Sequence, residues 1–511
     1  MSFFESLLVL SLAAILLLQV SRRLSAPYPS LLAMAGAAAA LVPGIPYVSL
    51  EPEIALALFI APALMDAAFD FPVGTARRFW LPLLVFAVGG VVVTAFTVAL
   101  AASWYAGLPL AAALVLGAIV APPDAAAATA ILSGVAIPRS TDAVLRGESL
   151  FNDAAALLIF GAALAVHSTG NLGVTVGLHF ALAAPGGILL GILAAFVGKN
   201  LSGFVSGTLG GNLLQFVQTY LVWILAEHLG LSAVLAVVAM AMAMASSVAT
   251  SARMRVQSYA VWSAVVFVLN IMAFLLMGMQ IKGIIAAMPE GQLMRACTFA
   301  AFIVAIVVLV RFAVCIGYNR ILARLARRRG RTQPATLKQA ILAGWCGMRG
   351  LVTLATAFAL PSDFPQRDTV VLTAFAVVLA TLVIQGLTLS PLIRWLGLDG
   401  RAAAAEELRA RRAQITRAGI HALEDQTGPE AELLRGKFLI EQQALFSVAG
   451  PSSLEPYRKL ALGSIAAQRM ELERLRSDNE LNVDEYNLLL EEIDWKELAV
   501  LPLEERKIEE I

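Results

Sequence analysis

The sequence predicts an all-α polytopic membrane protein of about thirteen transmembrane helices, with inverted repeats and two interrupted helices, ahead of a helical cytoplasmic tail. Three observations lead there. Of 511 residues, 59% are hydrophobic and only 14% charged, against about 25% charged in soluble domains. Apolar runs long enough to cross a bilayer recur from end to end of residues 1–399, and the mean hydropathy is +0.79. The acids are unevenly placed: residues 1–399 hold 14 of the 36, and the last 112 residues hold the other 22. That contrast sets a boundary near Gly400, between a transmembrane domain (1–399) and a soluble tail (400–511).

A helix needs about 20 apolar residues to cross the hydrocarbon layer. Spans are read near 3–20, 29–48, 52–69, 80–102, 109–134, 145–167, 172–198, 211–228, 230–248, 258–280, 294–318, 336–360 and 368–395. The first is an uncleaved span, because Glu5 precedes its apolar run while Arg22 and Arg23 follow it, the reverse of a secretory leader. Lys and Arg gather on alternate connections: Arg22 and Arg23, Arg77 and Arg78, Arg139 and Arg146, Lys199, Arg253 and Arg255, then a basic run from Arg320 to Lys338. The opposite connections carry only Lys282, Arg295 and Arg367. By the positive-inside rule the N-terminus is outside and the tail is cytoplasmic, in a cell membrane. Spans such as 109–134 and 230–248 are rich in Ala, Val and Gly, which lets helices approach closely in lipid.

Several functions are excluded. The formal net charge of +1 and the lack of a basic-aromatic groove give no nucleic-acid signal. Cys297, Cys315 and Cys346 have no metal-ligand spacing, and the four histidines are scattered. The glycine-rich SGTLGGN (206–212) lacks the Lys-Ser/Thr ending of a phosphate loop. No nucleophile–base pair or cofactor motif points to an enzyme, so no cofactor is expected.

What remains are polar islands inside apolar spans. An ionisable group at the bilayer centre costs roughly 3 kcal/mol, so such groups mark ion or proton paths. In the sixth span, ESLFND puts Ser149 three residues from Asn152 and four from Asp153, and helical neighbours at those spacings share a face. Hydroxyl, amide and carboxylate oxygens on one face suit a hard cation. A buried Asp153 paired with some arginine is the blander alternative. In the fifth span, Pro122 and Pro123 remove two backbone donors and should break the helix near mid-membrane. Asp124 would then stand at the N-terminus of the second half-helix, neutralising its dipole, contacting an ion, or both. The twelfth span carries Gly344, Gly347 and Gly350 around Arg349; they line a close helix contact or break a second helix, with Arg349 compensating carbonyl ends. The fifth and twelfth spans cross in opposite directions, and two interrupted antiparallel helices point to an inverted-repeat transporter with its site at the midplane. Asp66 in the third span is a further buried acid able to line that site. Asp70, nearer the cytoplasmic end, reads as a solvated or capping residue.

The motifs GESLFNDAAALLIF (147–160), IVAPPDAAAATAIL (119–132), GWCGMRGLVTLATAFALP (344–361) and APALMDAAFD (61–70) resemble those of the monovalent cation:proton antiporter-1 family, which includes NhaP-like bacterial sodium/proton antiporters, over residues 1–395. The resemblance implies a thirteen-span homodimer with an interface domain and a moving ion-binding core. It implies that Asp153 binds the cation (a transient Na⁺, or K⁺ or Li⁺) or the proton, with Ser149 and Asp124 contributing and Asn152 stabilising the site. It also implies that Glu148 and Arg349 form a buried structural ion pair. Two departures stand out: Pro123 replaces a threonine common before the fifth-span acid, and Ala125 replaces a frequent proline.

On this reading proton and cation compete for Asp153, and alternating access carries either across. Having Asn152 where a related branch has a second aspartate implies one proton per monovalent cation, an electrically silent exchange serving pH and cation homeostasis. Potassium/proton antiport is the alternative, followed by an ion channel and a transporter-derived sensor. A channel needs a continuous polar pore, whereas these polar groups cluster at one depth. The tail reads as helices near 402–426, 429–446, 455–476 and 483–497, punctuated by Gly428-Pro429 and Gly450-Pro451. It either supports folding and dimerisation or regulates transport.

Overall fold

In the computed structural model the described residues are 3–24, 28–41, 52–124, 139–170, 173–205, 208–246, 252–286, 291–329, 336–398, 401–446, 455–478 and 480–501. Among them every regular element is a helix. The chain divides into two compact units, residues 1–399 and 400–510.

The first unit opens with α1 (Phe3–Leu24) and α2 (Tyr28–Leu41). Two composite rods follow. The first runs from α3 (Pro52–Ala55) through a π-helical turn (Leu56–Ile60) into α4 (Ala61–Phe69). After α5 (Val73–Arg78), the second runs from α6 (Trp80–Leu84) through another π-helical turn (Val85–Gly90) into α7 (Val91–Ala106). Then come α8 (Leu110–Val120), α9 (Arg139–Thr169), α10 (Val174–Val205), α11 (Leu209–His228), α12 (Ala233–Ala245), α13 (Ala252–Met279), α14 (Ile281–Ala286) and α15 (Leu293–Arg329). The unit closes with α16 (Leu337–Trp345), α17 (Leu351–Phe358), α18 (Arg367–Ala380), a third π-helical turn (Thr381–Gln385) and α19 (Gly386–Leu396). Six stretches among the described residues are long and apolar enough to cross a membrane: Trp80–Ala106, Thr141–Ser168, Gly177–Val205, Arg255–Ala286, Leu293–Arg324 and Arg367–Leu396.

The twelfth span is interrupted as expected, and the fifth leaves the helix at the expected place. Helix α8 stops at Val120, and residues 121–124 leave the helix where Pro122 and Pro123 supply no N–H. The remainder of that span, 125–138, lies outside the described residues, and with it the expected half-helix beginning at Asp124. The twelfth span breaks over residues 346–350. Its N-terminal half starts with a capping box, in which Thr336 and Gln339 each bond the other's backbone N–H.

Small residues draw the helices together. Gly36 on α2 and Gly278 on α13 interlock: a Cβ on the first would strike the Leu275 carbonyl, and one on the second the Ala33 carbonyl. One buried cluster joins Val115, Leu116 and Ile119 of α8 to Phe299 and Ile303 of α15 and to Val370 and Val377 of α18. A second joins Leu64 and Met65 of α4, Leu150 and Ala154 of α9, Trp223 of α11 and Met240 of α12. Helix α9 contributes to both clusters, Leu145 and Ala163 to the first and Leu150 and Ala154 to the second.

The second unit contains two helical hairpins, α20 (Arg401–His421) with α21 (Pro429–Phe446) and α22 (Glu455–Ser477) with α23 (Val483–Val500). The latter pair buries Ile465, Leu472 and Ile493. Arg469 crosses from α22 to Asp494 at 2.5 Å and Glu497 at 2.7 Å on α23. The Arg474 guanidinium, 2.7 Å from Glu471, holds that exposed carboxylate below its usual range through hydrogen bonding and charge.

Candidate functional site

The site is built where the two interrupted spans meet. The Asp124 N–H donates to the Met348 carbonyl at 2.6 Å, so the peptide freed by one break satisfies a carbonyl freed by the other. The Asp124 carboxylate lies against Gly350, where an added Cβ would occupy the place of Oδ2. Gly350 is the N-cap of α17. The carboxylate thus stands at the positive end of that half-helix.

Arg349 makes the reciprocal contact. Its Nε donates to the Val120 carbonyl at 3.1 Å and its Nη2 to the Ala121 carbonyl at 3.4 Å, at the C-terminal, electronegative end of α8. Nη1 donates to the Gly347 carbonyl. Its backbone N–H donates to Thr381 Oγ1 at 3.0 Å, fixing the break to the π-helical turn that starts there. Arg349 is fully buried, bonded to three backbone carbonyls and within charge-interaction range of Glu148. Each break therefore supplies the charge that compensates the other's helix end.

This arrangement corrects the expected Glu148–Arg349 pair. Glu148 is instead held by Arg311 on α15: Nη2 donates to Oε2 at 2.8 Å, and Nη1 donates to Oε1. The two planar groups meet in a fork that satisfies both carboxylate oxygens, and both side chains are nearly inaccessible, at 6% and 3% exposure. The Phe86 ring lies 5.9 Å from the guanidinium carbon. Arg311 was overlooked in the sequence, although it is the one cation within the apolar run of 296–318. The cost of an unpaired charge in that run is the signal that would have singled it out.

The polar turn of α9 faces this crossing. Asn152, fully buried, donates from Nδ2 to the Pro123 carbonyl at 2.6 Å. That carbonyl belongs to the non-helical segment 121–124. Asp153 follows, buried at 8% exposure, and its carboxylate lies close enough to Asp124 for the two charges to interact. Ser149, one turn earlier, is half-buried. Asp66 is half-buried on α4, which packs against α9 through the Leu64, Met65, Leu150 and Ala154 cluster. Asp70 is exposed and forms the C-cap of α4. The structure thus unites Asp124, Asn152 and Asp153 around the breaks at Pro122, Pro123, Gly347 and Gly350. It sets the Glu148–Arg311 pair on the neighbouring turn of α9.

Two buried oxygens here have no hydrogen-bond partner among the described residues, Asn152 Oδ1 and Thr353 Oγ1. Oxygen atoms beside two interacting carboxylates, with helix ends compensated by fixed groups, can exchange a proton for a hard monovalent cation at little reorganisation cost.

Comparison with known proteins agrees with this chemistry. Residues 8–395 match the family described as sodium/hydrogen exchanger, transmembrane. A Mycobacterium tuberculosis protein named as an uncharacterised Na⁺/H⁺ exchanger is 30% identical over 93% of this chain and 91% of its own length. A Bacillus pumilus sodium, potassium, lithium and rubidium/H⁺ antiporter is 29% identical over 71% of this chain and 57% of its own length. The fold resembles that of a sodium proton antiporter from Methanocaldococcus jannaschii, with a TM-score of 0.55 and 17% identity over 76% of this chain and all of that one. The match across most of its length shows that the chain belongs to the sodium/hydrogen exchanger family of monovalent cation:proton antiporters.

Proposed function

We propose that this antiporter exchanges one Na⁺ for one H⁺ by alternating access, with Asp153 as the group that both ions occupy in turn. The observation that carries this reading is the convergence of Asp153 and Asp124 at the crossing of two broken helices. Two interacting carboxylates in a dry site hold a cation well, and a proton that neutralises one of them weakens that hold. Ser149 and Asp66 are read as further oxygen donors along the cation's route. Asn152 anchors the Pro123 carbonyl and so sets the spacing between α9 and the break. The chain moves ions and carries out no covalent chemistry.

The rest of the reading concerns architecture. Residues 1–399 form thirteen spans with inverted repeats in a bacterial cell membrane, the N-terminus outside and the 400–511 tail in the cytoplasm. Two copies form a homodimer, and the exchange serves pH and sodium homeostasis. K⁺ or Li⁺ is a second cargo to test, because the Bacillus pumilus relative is named for sodium, potassium, lithium and rubidium. A site made of oxygen atoms without a size-fixed cage accepts more than one alkali cation.

Purified protein in liposomes with an imposed pH gradient should dissipate that gradient when Na⁺ is added. Asp153→Asn should abolish the signal while the protein still elutes as a folded species. Normal exchange by that variant would refute the assignment. A series with Na⁺, Li⁺ and K⁺ in the same vesicles ranks the cargo.

A further inference from the structure

We propose that Thr353 is a cation ligand, presenting its hydroxyl oxygen to the transported ion beside Asp124 and thereby setting cation affinity. The proposal rests on the antiport reading above and adds a residue to its site.

Thr353 is 1% exposed. Five other threonines are buried among the described residues, at 0–4% exposure, and all five donate to the carbonyl four positions back: Thr94 to Gly90 (2.7 Å), Thr219 to Gln215 (2.8 Å), Thr356 to Val352 (2.6 Å), Thr373 to Thr369 (2.7 Å) and Thr381 to Val377 (2.8 Å). Thr353 Oγ1 has no such bond. The reason lies in the break. Four residues before Thr353 stands Arg349, and the intervening Gly350 has non-helical angles (φ −136°, ψ −145°), so the Arg349 carbonyl is out of line with the carbonyls of α17. The interruption thus strips one hydroxyl of the partner that every comparable threonine finds.

An unpaired buried hydroxyl is costly and calls for a partner of another kind. Its position identifies one. Thr353 lies in the first turn of α17, three residues after its N-cap Gly350, and Gly350 is the residue against which the Asp124 carboxylate rests. The second orphaned oxygen, Asn152 Oδ1, belongs to a side chain anchored on the carbonyl of Pro123, the residue before Asp124. Two partnerless oxygens thus belong to residues of two different helices, one three positions from the Gly350 contact of Asp124 and one bonded to the Pro123 carbonyl. A hydroxyl oxygen is a neutral ligand for a hard cation, and it leaves the site's charge, and so the ion stoichiometry, unchanged.

The test uses the full-length protein in liposomes, comparing Thr353→Val, Thr353→Ala and Thr353→Ser. Valine keeps the shape and removes the oxygen, and serine keeps the oxygen. We expect Thr353→Val to raise the Na⁺ concentration for half-maximal exchange by about three- to ten-fold, with the maximal rate within about two-fold of the parent. Thr353→Ser should restore the parent value. In detergent, Na⁺ should raise the unfolding temperature of the valine and alanine variants less than that of the parent at equal Na⁺. An unchanged half-saturation in both Thr353→Val and Thr353→Ala would overturn the proposal. So would a fall in maximal rate with half-saturation intact, or a serine variant as impaired as valine, since either marks a packing role. Should valine fail to fold, the alanine and serine variants decide by the same two readouts. The parent reading is judged apart: exchange that survives Asp153→Asn sinks it whatever Thr353 does, whereas loss in Asp153→Asn with no effect at Thr353 removes only the ligand proposed here.

Discussion

Glu148 and Arg311 show how a single residue governs the stability of a buried site. Both side chains are nearly inaccessible, so removing one partner leaves an uncompensated charge, which costs about 3–5 kcal/mol, while replacing both by uncharged groups of similar size costs far less. Arg311→Met or Glu148→Gln alone should therefore lower the unfolding temperature markedly, and the double variant should recover most of the loss. A thermal-shift series on the purified protein checks this; additive losses would show that the pair is not coupled. ESLFND made Asp153 and Asn152 legible because four polar residues in an apolar span have no cheaper explanation. The partner of Glu148 was not legible in the same way. Glu148 and Arg311 are 163 residues apart, and nothing in local spacing separates Arg311 from Arg349 as the partner.

At the scale of elements, the two breaks meet and compensate each other. Each interruption was visible in sequence, one in two adjacent prolines and the other in three glycines around an arginine. How they compensate each other was not visible. The Asp124 carboxylate lies against Gly350, the N-cap of α17, while Arg349 covers the end of α8. Gly350 is required by that contact: a Cβ there would lie 2.6 Å from Asp124 Cγ and 2.9 Å from Asp124 Cβ. Gly350→Ala should displace the carboxylate and slow exchange by about ten- to a hundred-fold, with little change in unfolding temperature. Vesicle exchange assays on a folded Gly350→Ala variant measure this, and a parent-like rate would mean that the position of Asp124 is not critical.

For the whole molecule, the composition alone demanded a membrane domain, and small residues decided how closely its helices pack. The Gly36–Gly278 interlock brings α2 and α13 together, where dispersion and close approach replace the hydrophobic effect as the driving force in lipid. One Na⁺ against one H⁺ moves no net charge. Each uncompensated charge would couple to voltage by about 2.3 kcal/mol per 100 mV. Clamping the vesicle potential with a K⁺ ionophore at values about 100 mV apart should leave the Na⁺/H⁺ exchange rate unchanged. A rate that follows the potential would exclude the neutral stoichiometry.

The sequence by itself determined that the chain is helical and apolar, where two of its helices are interrupted, and which turn carries the unusual carboxylate. These properties follow from local chemistry: the cost of charge in hydrocarbon, the missing N–H of proline and the periodicity of a helix. Only the tertiary structure decided that Glu148 pairs with Arg311, that Asp124 serves the other broken helix, and that Thr353 is left without its usual carbonyl. Those outcomes depend on which helix ends meet across the interior, and charge compensation between segments more than a hundred residues apart leaves no periodic trace along the chain.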